Sequence, residues 1–589
     1  MSKGSLLASS LACALAATAF AVGLLHLGAR LWEIQVHGAA GYGLASDRQS
    51  VRRVRTAGLR GRILDRGGRL LADNRVAVSI VCQPAWFQKR TWSATVAEID
   101  RAIRAIAARI GRPSPLTEAA IRRHVNQSPS LPLFVWRDID ADALAVFSEN
   151  ERAFDGFSVV ETDERVYPFG PLAAHLLGYV GRDQTASNAG DEKFSYAMRE
   201  MCGRAGLEAY YDGFLRGVPG EKRMLVDARG FAIREWTVVE SQKGPDLMLS
   251  LDAGIQQVVE RELSGVCGAC VVMNPQSGEV LALASAPSFD PNRFVPSLGA
   301  DLYSRLANDP DKPLLNRAAG GAYAPGSTFK PITALAGLTL GYPEDERYLC
   351  EGKYACGQMC LHCASRWGHG ELDLRHALMK SCNPFFCNLG AEAGTNALIS
   401  AARSFGLGAK TGIDFGVDMA GVVPDAAWKQ KMYHERWYFG DLLQMSIGQG
   451  MLLASPLQMA RVAGALGTGW LVTPRLKRGM AIERRRLPFS EENFRIVREG
   501  MRLVVAGDGE SRGSGWKAGE GVAVAVSGKT GTAEVGQGER RRKNTWFIGY
   551  APSETPQVAF AMVVENGVSG GGTTAPKVGA VLRKIFNGR

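Results

Sequence analysis

Ala324-Pro325-Gly326-Ser327-Thr328-Phe329-Lys330-Pro331 is the most informative stretch of this chain of 589 residues. Its Pro-Gly pair interrupts the preceding chain, and Pro331 is tolerated only in a first helical turn, where its missing amide hydrogen has no partner to lose. An apolar helical pattern follows from 332 to 338. The pattern therefore predicts that Ser327 lies at the start of a helix and that Lys330 projects from the same face.

A serine and a lysine three residues apart suggest nucleophilic chemistry. A serine hydroxyl becomes a good nucleophile only when a base takes its proton, and a lysine can do this only if its pKa is lowered. The positive potential of a helix N-terminus and a second nearby cation would both lower it. Alone, this motif is weak, because an exposed Ser-x-x-Lys helix pair arises often by chance.

A second polar motif, Ser381-Cys382-Asn383, follows a helical segment at 372–379 and precedes another apolar helical pattern. It predicts a polar pair that opens a helix. Taken alone, Ser381 is equally well explained as a simple helix cap.

A third motif, Val526-Ser527-Gly528-Lys529-Thr530-Gly531-Thr532-Ala533, ends a strand predicted at 522–526. It combines a cation, Lys529, with the hydroxyls of Thr530 and Thr532, and Gly531 lets a ligand approach the backbone closely. Such an edge can bind a carboxylate and pair with an extended peptide. Lys529 also supplies the second cation that Lys330 requires.

The N-terminal stretch from 4 to 29 contains no Asp, Glu, Lys or Arg, and about 20 apolar residues suffice to cross a bilayer. We expect a short cytoplasmic tail at 1–4 and a transmembrane anchor at 5–28. The competing interpretation is a cleaved signal peptide, because small residues at 18–21 resemble a cleavage site. The net charge of +11 suits an anionic membrane or cell-wall polymer, and nothing resembles a nucleic-acid module.

The rest of the chain predicts two domains, at 45–240 and 245–589. In the first, an amphipathic helix over 96–110 is expected to begin with a capping box at Thr95 and Glu98. In the second, strands are predicted at both ends with helices between them, which indicates one sheet assembled from distant segments and covered by helices. The predicted strands are 270–273, 280–284, 522–526, 545–550 and 558–564, with a closing helix at 576–586.

The three motifs, in this order, resemble those of the serine penicillin-recognising enzymes: Ser-x-x-Lys, Ser-x-Asn and Lys-Thr-Gly. The resemblance implies an α/β (α+β) fold of the penicillin-binding-protein and serine β-lactamase type, with an antiparallel sheet covered by helices. Wider stretches resemble class B penicillin-binding proteins, which have an N-terminal α+β pedestal domain and one transmembrane helix. These stretches are 60–72, 165–170, 206–208, 217–220 and 285–292.

Four further segments resemble the elongation type of class B protein more than the division type, which remains the alternative. They are 368–370, 437–438, 440–441 and 446–450. A catalytically silent penicillin-binding scaffold and a β-lactamase or β-lactam sensor are rivals from other classes. The roughly 200 extra residues after the anchor count against the last two.

The resemblance implies a peptidoglycan D,D-transpeptidase that is inhibited by β-lactams. Ser327 would attack the penultimate D-alanine of a stem peptide or lipid-linked precursor, and the product would be cross-linked to a second stem peptide. Membrane partners would be a SEDS-family glycosyltransferase and other elongation-complex proteins, with the catalytic domain on the periplasmic side of the inner membrane. The implied roles are proton acceptor for Lys330, proton relay for Ser381, amide binding for Asn383, and carboxylate binding for the strand formed by Lys529, Thr530, Gly531 and Thr532.

Eleven cysteines are many for an exported chain. Four of them lie within 350–363, where disulfides and a zinc site are both reasonable. The resemblance implies a structural Zn²⁺ held by Cys350, Cys363, His369 and Cys382. Cys356 and Cys360 are left either to pair with each other or to compete for the ion.

Overall fold

The computed structural model of the chain describes residues 3–37, 50–182, 194–197, 201–295, 299–357, 359–536 and 542–588. Residues 1–2 of the predicted tail and 45–49 of the predicted first domain lie outside these ranges. The chain begins with a helix at Lys3–Trp32 and a π-helical turn at Glu33–His37. The segment Ser10–His37 is long and apolar enough to cross a membrane, by length and composition.

Two sheets form the N-terminal domain. In one, Val51–Thr56 lies between Gly220–Val226 and Tyr196–Ala197, and Ala232–Val239 is the outer strand. In the other, Leu70–Cys82 pairs with Ile63–Leu64, Leu133–Trp136 and Phe157–Val166, and Ile63–Leu64 pairs with Leu247–Met248. Two short strands, Val180–Arg182 and Met201–Gly203, pair separately. The helices of this domain are Trp92–Ile110, Glu118–Gln127, Ala141–Glu149, Ala174–Leu177, Gly206–Tyr210 and Asp212–Leu215.

The amphipathic helix predicted over 96–110 is confirmed as Trp92–Ile110, and its isoleucine stripe is buried. The predicted capping box was wrong. The helix begins one turn earlier, where the Thr91 side chain accepts a hydrogen bond from the amide of Ala94. Thr95 is buried inside the first turn and donates its hydroxyl to the Thr91 carbonyl.

Buried ion pairs hold together several segments that resemble class B proteins. Glu208 is completely buried and accepts hydrogen bonds from Arg60 at 2.6 Å and from Arg165 at 2.7 Å. Separately, Tyr211 donates to Asp414 at 2.6 Å, which joins the segment that follows Glu208 to the C-terminal domain. Because an unpaired buried charge is costly, these segments act as one structural unit.

The C-terminal domain is built on a five-stranded antiparallel sheet, which we call the central sheet. Its strands lie in the order Val280–Ala286, Gly268–Met273, Val558–Val564, Arg542–Ala551 and Ser527–Val535. Segments from the two ends of the domain are therefore neighbours, as predicted. This antiparallel sheet with covering helices confirms the predicted fold class.

Side chains alternate between two hydrophobic cores across the central sheet. Along one strand, Ala559, Ala561 and Val563 face the larger core, whereas Phe560 and Met562 face the smaller one. Ala253–Glu262 and Ala575–Asn587 cover the smaller core. Pro456–Thr468 covers the larger core, together with the helices that carry the site.

The remaining helices of the domain are Ala300–Asn308, Arg317–Gly320, Lys330–Thr339, Leu374–Lys380, Asn383–Ser404, Ala426–Tyr433, Phe439–Ser446 and Glu491–Ala506. Asn383–Ser404 is broken at Gly394. Three small two-stranded sheets complete the domain: Tyr348–Cys350 with Gly370–Leu372, Lys353–Cys356 with Met359–His362, and Trp470–Val472 with Arg484–Arg486.

The strand predicted at 522–526 was wrong. Central-sheet pairing runs from Ser527 opposite Tyr550 to Val535 opposite Arg542, so the third motif lies within a strand rather than after one. The segment at 522–526 forms a turn instead, and the amide of Ala523 donates to Asn587 in the closing helix. The prediction followed the short alternation of Val and Ala at 522–526. It missed the true edge strand because that strand contains few apolar residues.

Candidate active site

Ser327 lies in a tight turn that contacts two other segments. The turn Gly326–Phe329 leads directly into the helix Lys330–Thr339, with Pro331 in its first turn as predicted. Gly326 has a φ of 56° and donates its amide to the Gly448 carbonyl at 2.8 Å. A Cβ at Gly326 would lie 2.8 Å from the Thr532 carbonyl oxygen. The turn therefore holds the half-buried Ser327 against the strand Ser527–Val535.

Lys330 is fully buried, and its amine is held by the second motif. Its Nζ donates to the Ser381 carbonyl oxygen and to Asn383 Oδ1, each at 2.7 Å. Burial lowers the pKa of Lys330 to about 8, because the charged form loses its hydration. Near neutral pH this side chain is thus poised to exchange a proton.

Ser381 ends the helix Leu374–Lys380 in the left-handed conformation, with a φ of 57°. This conformation is uncommon for a residue other than glycine. The Ser381 hydroxyl lies 3.5 Å from Lys330 Nζ and accepts a hydrogen bond from Lys529 Nζ at 2.7 Å. Asn383 begins the next helix, so only the second residue of the predicted pair opens a helix, whereas Ser381 ends the helix before it.

Lys529 lies inside the edge strand Ser527–Val535 and is also completely buried. Its pKa lies well below the usual value, first because of burial and second because Lys330 is near. Besides Ser381, its Nζ donates to the Thr530 carbonyl at 3.0 Å. A Cβ at Gly531 would lie 2.8 Å from Thr328 Cγ2 and 2.9 Å from the Pro325 carbonyl, so this strand approaches the Ser327 turn very closely.

Three further residues support the motif residues and were not singled out as site residues from the sequence. Ser514 and Thr530 share a hydroxyl hydrogen bond of 2.9 Å, Gln449 Nε2 donates to the Thr532 carbonyl at 3.1 Å, and the His362 carbonyl accepts from Asn383 Nδ2 at 2.8 Å. Ser514 stands in a Gly-Ser-Gly stretch, a pattern too common to be diagnostic. Gln449 belongs to a segment noted only for its resemblance.

The arrangement combines a nucleophile, a base of lowered pKa and a polar sheet edge. The structure brings Lys330, Ser381, Asn383 and Lys529 into one hydrogen-bonded chain, and it packs the Ser327 turn against Gly531 and Thr532. Buried amines beside a strand edge that pairs with no further strand of the described residues can bind an anion and move a proton. This chemistry fits acyl transfer to and from a serine.

The predicted metal ligands form a separate cluster next to this chain. The ligand atoms of Cys350, Cys363, His369 and Cys382 all lie within 4.8 Å of one another. Cys363 Sγ lies 3.3 Å from His369 Nδ1 and 4.0 Å from Cys382 Sγ. Thiolates around a tetrahedral zinc ion are separated by on the order of 3.8 Å. The donor set and its spacing therefore fit one tetrahedral ion.

The chemistry of these thiols agrees with that fit. Hydrogen bonds from Cys382 and His369 lower the pKa of Cys363 below that of an ordinary thiol, which favours its thiolate form. The pKa of Cys382 is raised by the same interaction and by burial. Cys382 stands between Ser381 and Asn383 in the chain, so the cluster adjoins the residues that hold Lys330.

All eleven cysteines lie within the described ranges, and each is a free thiol there. Cys356 and Cys360 were left to pair with each other or to compete for the ion. In the hairpin 353–362, Cys360 lies opposite Ala355 and Cys356 lies opposite Met359. The two side chains therefore point to opposite faces of the hairpin, and a disulfide between them is inconsistent with this register.

Two family models match the chain: a penicillin binding protein transpeptidase domain over 268–587 and a penicillin-binding protein dimerisation domain over 55–249. The peptidoglycan D,D-transpeptidase MrdA of Acinetobacter baumannii is 32% identical over 588 residues, covering 94% of this chain and 85% of that protein. A Helicobacter pylori penicillin-binding protein (PBP2), solved in complex with MreC, is 26% identical with a TM-score of 0.78 and covers 91% of this chain and 99% of that chain. A chain of a peptidoglycan synthase complex, from a structure on coordination of polymerization and crosslinking, is 28% identical with a TM-score of 0.71 and covers 98% of both chains.

Proposed function

The chain belongs to the class B penicillin-binding proteins, and on this basis we propose that it is an elongation-type peptidoglycan D,D-transpeptidase that works through a Ser327 acyl-enzyme. The observation that carries the proposal is the hydrogen-bonded chain Lys330–Ser381–Lys529 beside the Ser327 turn. The matches to a transpeptidase domain and to relatives of that activity do not favour a silent scaffold, a β-lactamase or a division-type enzyme.

Binding of the donor peptide is the first step. The edge strand Ser527–Val535 pairs with Arg542–Ala551 and with no other strand of the described residues. An extended peptide would pair along its other side, and Lys529, Thr530 and Thr532 would bind the terminal carboxylate of a stem peptide that ends in D-alanyl-D-alanine. Asn383 holds the peptide amide. The carbonyl of the penultimate D-alanine then lies over the Ser327 turn, where the backbone amides of Ser327 and Thr532 bind the oxyanion.

Acylation follows. Lys330 accepts the Ser327 proton, a bond forms between Oγ and the carbonyl carbon, and the bond to the terminal D-alanine nitrogen breaks. Ser381 passes a proton to that leaving nitrogen, so free D-alanine departs. The Lys330 pKa of about 8 suits this exchange, because a base near the working pH transfers protons best.

Transfer completes the cycle. A side-chain amine of a second stem peptide attacks the Ser327 ester, a new amide bond forms, and the ester bond to Oγ breaks with return of a proton to Ser327. A β-lactam would acylate the same oxygen and stop there, because its leaving nitrogen stays tethered to the acyl group.

Mass spectrometry after incubation with a labelled penicillin tests the nucleophile. We expect one modified peptide that contains Ser327 and none in Ser327→Ala. Purified protein should also release D-alanine and form cross-linked dimers from lipid-linked substrate, and Ser327→Ala should do neither. An unmodified Ser327 peptide in folded protein would refute the assignment.

Two observations support a membrane anchor and partners among the elongation proteins. The apolar helix Lys3–Trp32 is a candidate single-pass anchor, which would place the catalytic domain in the periplasm. The likeness to chains solved with MreC and within a peptidoglycan synthase complex supports partners among the elongation proteins, including a SEDS-family glycosyltransferase. The role of the anchor is tested by co-purification with a candidate polymerase. The full-length chain is compared with a chain that lacks residues 3–32.

For the cysteine cluster we propose one structural Zn²⁺ held by Cys350, Cys363, His369 and Cys382. Its support is the donor set, the 4.8 Å clustering and the lowered pKa of Cys363. Bound there, the ion would supply a cross-link between the segment 350–369 and the start of the helix Asn383–Ser404. Metal analysis of purified protein tests it, since a fully active protein free of metal would refute it.

A further inference from the structure

A cavity of about 320 Å³ lies close to the Ser327 turn and takes no part in the mechanism above. It is bounded by the helices Ala426–Tyr433 and Phe439–Ser446 and by the turn 448–450. Two of the four segments that resemble the elongation type contribute to it. The residues that define its chemistry are Lys429, Glu435, Asp441, Gln444, Met445 and Gln449.

The cavity adjoins the end of the donor site. Gln449, in its lining, donates to the Thr532 carbonyl at 3.1 Å. The preceding residue, Gly448, accepts the Gly326 amide at 2.8 Å. Through Gln449 and its chain neighbour Gly448, the cavity wall therefore adjoins Thr532 and the residue before the nucleophile.

The direction of the donor peptide leads toward this cavity. If the terminal carboxylate lies at Lys529 and Thr530 and the reacting carbonyl lies at Thr532, the rest of the donor continues past Thr532. The residue that precedes the D-alanyl-D-alanine pair is then at the level of Gln449. In stem peptides this is the residue whose side chain carries an amine, the group that a second peptide uses as acceptor.

The lining suits such a side chain. Lys429 Nζ binds Asp441 at 2.7 Å and Glu435 at 3.4 Å, so this cluster holds two carboxylates for one ammonium. Asp441 also accepts from the Tyr438 amide at 2.7 Å, which caps the start of its own helix, so this carboxylate is already engaged. The Glu435 side chain, 56% exposed, is more accessible to a ligand.

We propose that this cavity binds the amine-bearing side chain of the donor stem peptide, with its ammonium group against Glu435. The inference rests on the proposed function and adds a determinant of donor specificity to it. Glu435 is a specificity residue, because it contacts the substrate away from the reacting atoms.

The test uses full-length protein in detergent and two soluble donor peptides that differ only in acetylation of the side-chain amine. D-Alanine release is measured without any added amine at low donor concentration, and cross-linked dimers are quantified separately, because the free-amine donor can itself act as an acceptor. Glu435→Gln and Glu435→Lys are compared with Glu492→Gln, a matched control whose side chain is 59% exposed and also ion-paired. Acylation by fluorescent penicillin, which lacks the amine, reports on folding and on the catalytic groups.

We expect Glu435→Gln to lower kcat/KM for the free-amine donor by about threefold to fivefold and Glu435→Lys by about tenfold, as for an exposed charge pair. The acetylated donor, penicillin acylation and the Glu492→Gln protein should be unchanged. Equal losses for both donors, or no loss for either, would overturn the proposal. So would an effect confined to the KM of an added amine acceptor, which would assign the cavity to the second peptide.

Absence of both D-alanine release and penicillin acylation in the unmodified protein would instead refute the proposed function.

Discussion

Lys330 and Lys529 share the hydroxyl of Ser381, which lies 3.5 Å from one amine and 2.7 Å from the other. Both amines are fully buried, and like charges so close cannot both be protonated without cost. A proton on Lys529, where a substrate carboxylate would bind, therefore favours the neutral form of Lys330. Binding and base activation are coupled through one oxygen atom.

Acylation by penicillin should depend on pH. The Lys330 amine accepts a proton only when neutral, and burial places its pKa at about 8. The second-order rate constant should rise by about tenfold per pH unit from pH 6 and level off above about 8. Stopped-flow fluorescence with a labelled penicillin measures this, with circular dichroism at each pH to monitor folding. A flat profile between pH 6 and 9 would contradict the role of Lys330.

Ser514 should help to orient Thr530. Ser514→Ala removes the 2.9 Å hydrogen bond between the two hydroxyl groups, and one such bond contributes about 0.5–1.5 kcal/mol. We expect acylation by penicillin to slow by about threefold to tenfold, and Ser514→Thr to retain most of the rate. Acylation by the penicillin methyl ester, which lacks the carboxylate, should change little. Equal losses for the acid and the ester would show that Ser514 has only a structural role.

Gly326→Ala should abolish acylation while leaving the rest of the fold intact. Its Cβ would lie 2.8 Å from the Thr532 carbonyl, which cannot move without breaking the edge strand. Gly170→Ala is a matched control, because Gly170 has nearly the same φ, 58°, and its Cβ would have nothing within 4 Å. Labelling by fluorescent penicillin and thermal unfolding separate the two effects. Normal labelling of Gly326→Ala would argue against the close fit of the Ser327 turn.

Removal of the proposed zinc ion should destabilise the C-terminal domain. A ligand present at 100 times its Kd contributes about 2.7 kcal/mol, which corresponds to a fall in Tm of about 4 °C for a domain of roughly 320 residues. A chelator, or Cys363→Ser, should produce this fall and slow acylation. Cys356→Ser is the control, because Cys356 lies outside the cluster. A Tm that does not respond to the chelator would mean that the cluster is not a metal site.

The sequence predicted the elements whose signal is local. From Pro331 we predicted a helix that starts just after Ser327, and the structure confirms it. The strand predicted from the apolar run at 558–564 has the same first and last residues as the observed strand. The edge strand Ser527–Val535 was displaced by several residues, because its polar residues serve a ligand rather than a core. Motif order, rather than periodicity, revealed its importance.

Other parts of the site depend on the folded chain. Ser514 reaches Thr530 and Gln449 reaches Thr532 across long sequence separations, and neither contact leaves a pattern in the residues around it. The cavity near Gln449 arises where two helices and a turn meet. The resemblance, and not the sequence spacing, predicted the cluster formed by Cys350, Cys363, His369 and Cys382. Their spacing along the chain is too irregular to indicate that all four bind one ion.

The pairing of Gly268 with Val564 in the middle of the central sheet has a consequence for biogenesis. During synthesis and export, the strand Gly268–Met273 emerges long before its neighbour, and it must wait with one hydrogen-bonding edge exposed. Such non-local closure makes folding slow and aggregation a hazard. A stop codon that removed only the last strand and helix would leave Ser327 and Lys330 in the chain but no sheet to organise them, so a nearly complete polypeptide would be inert.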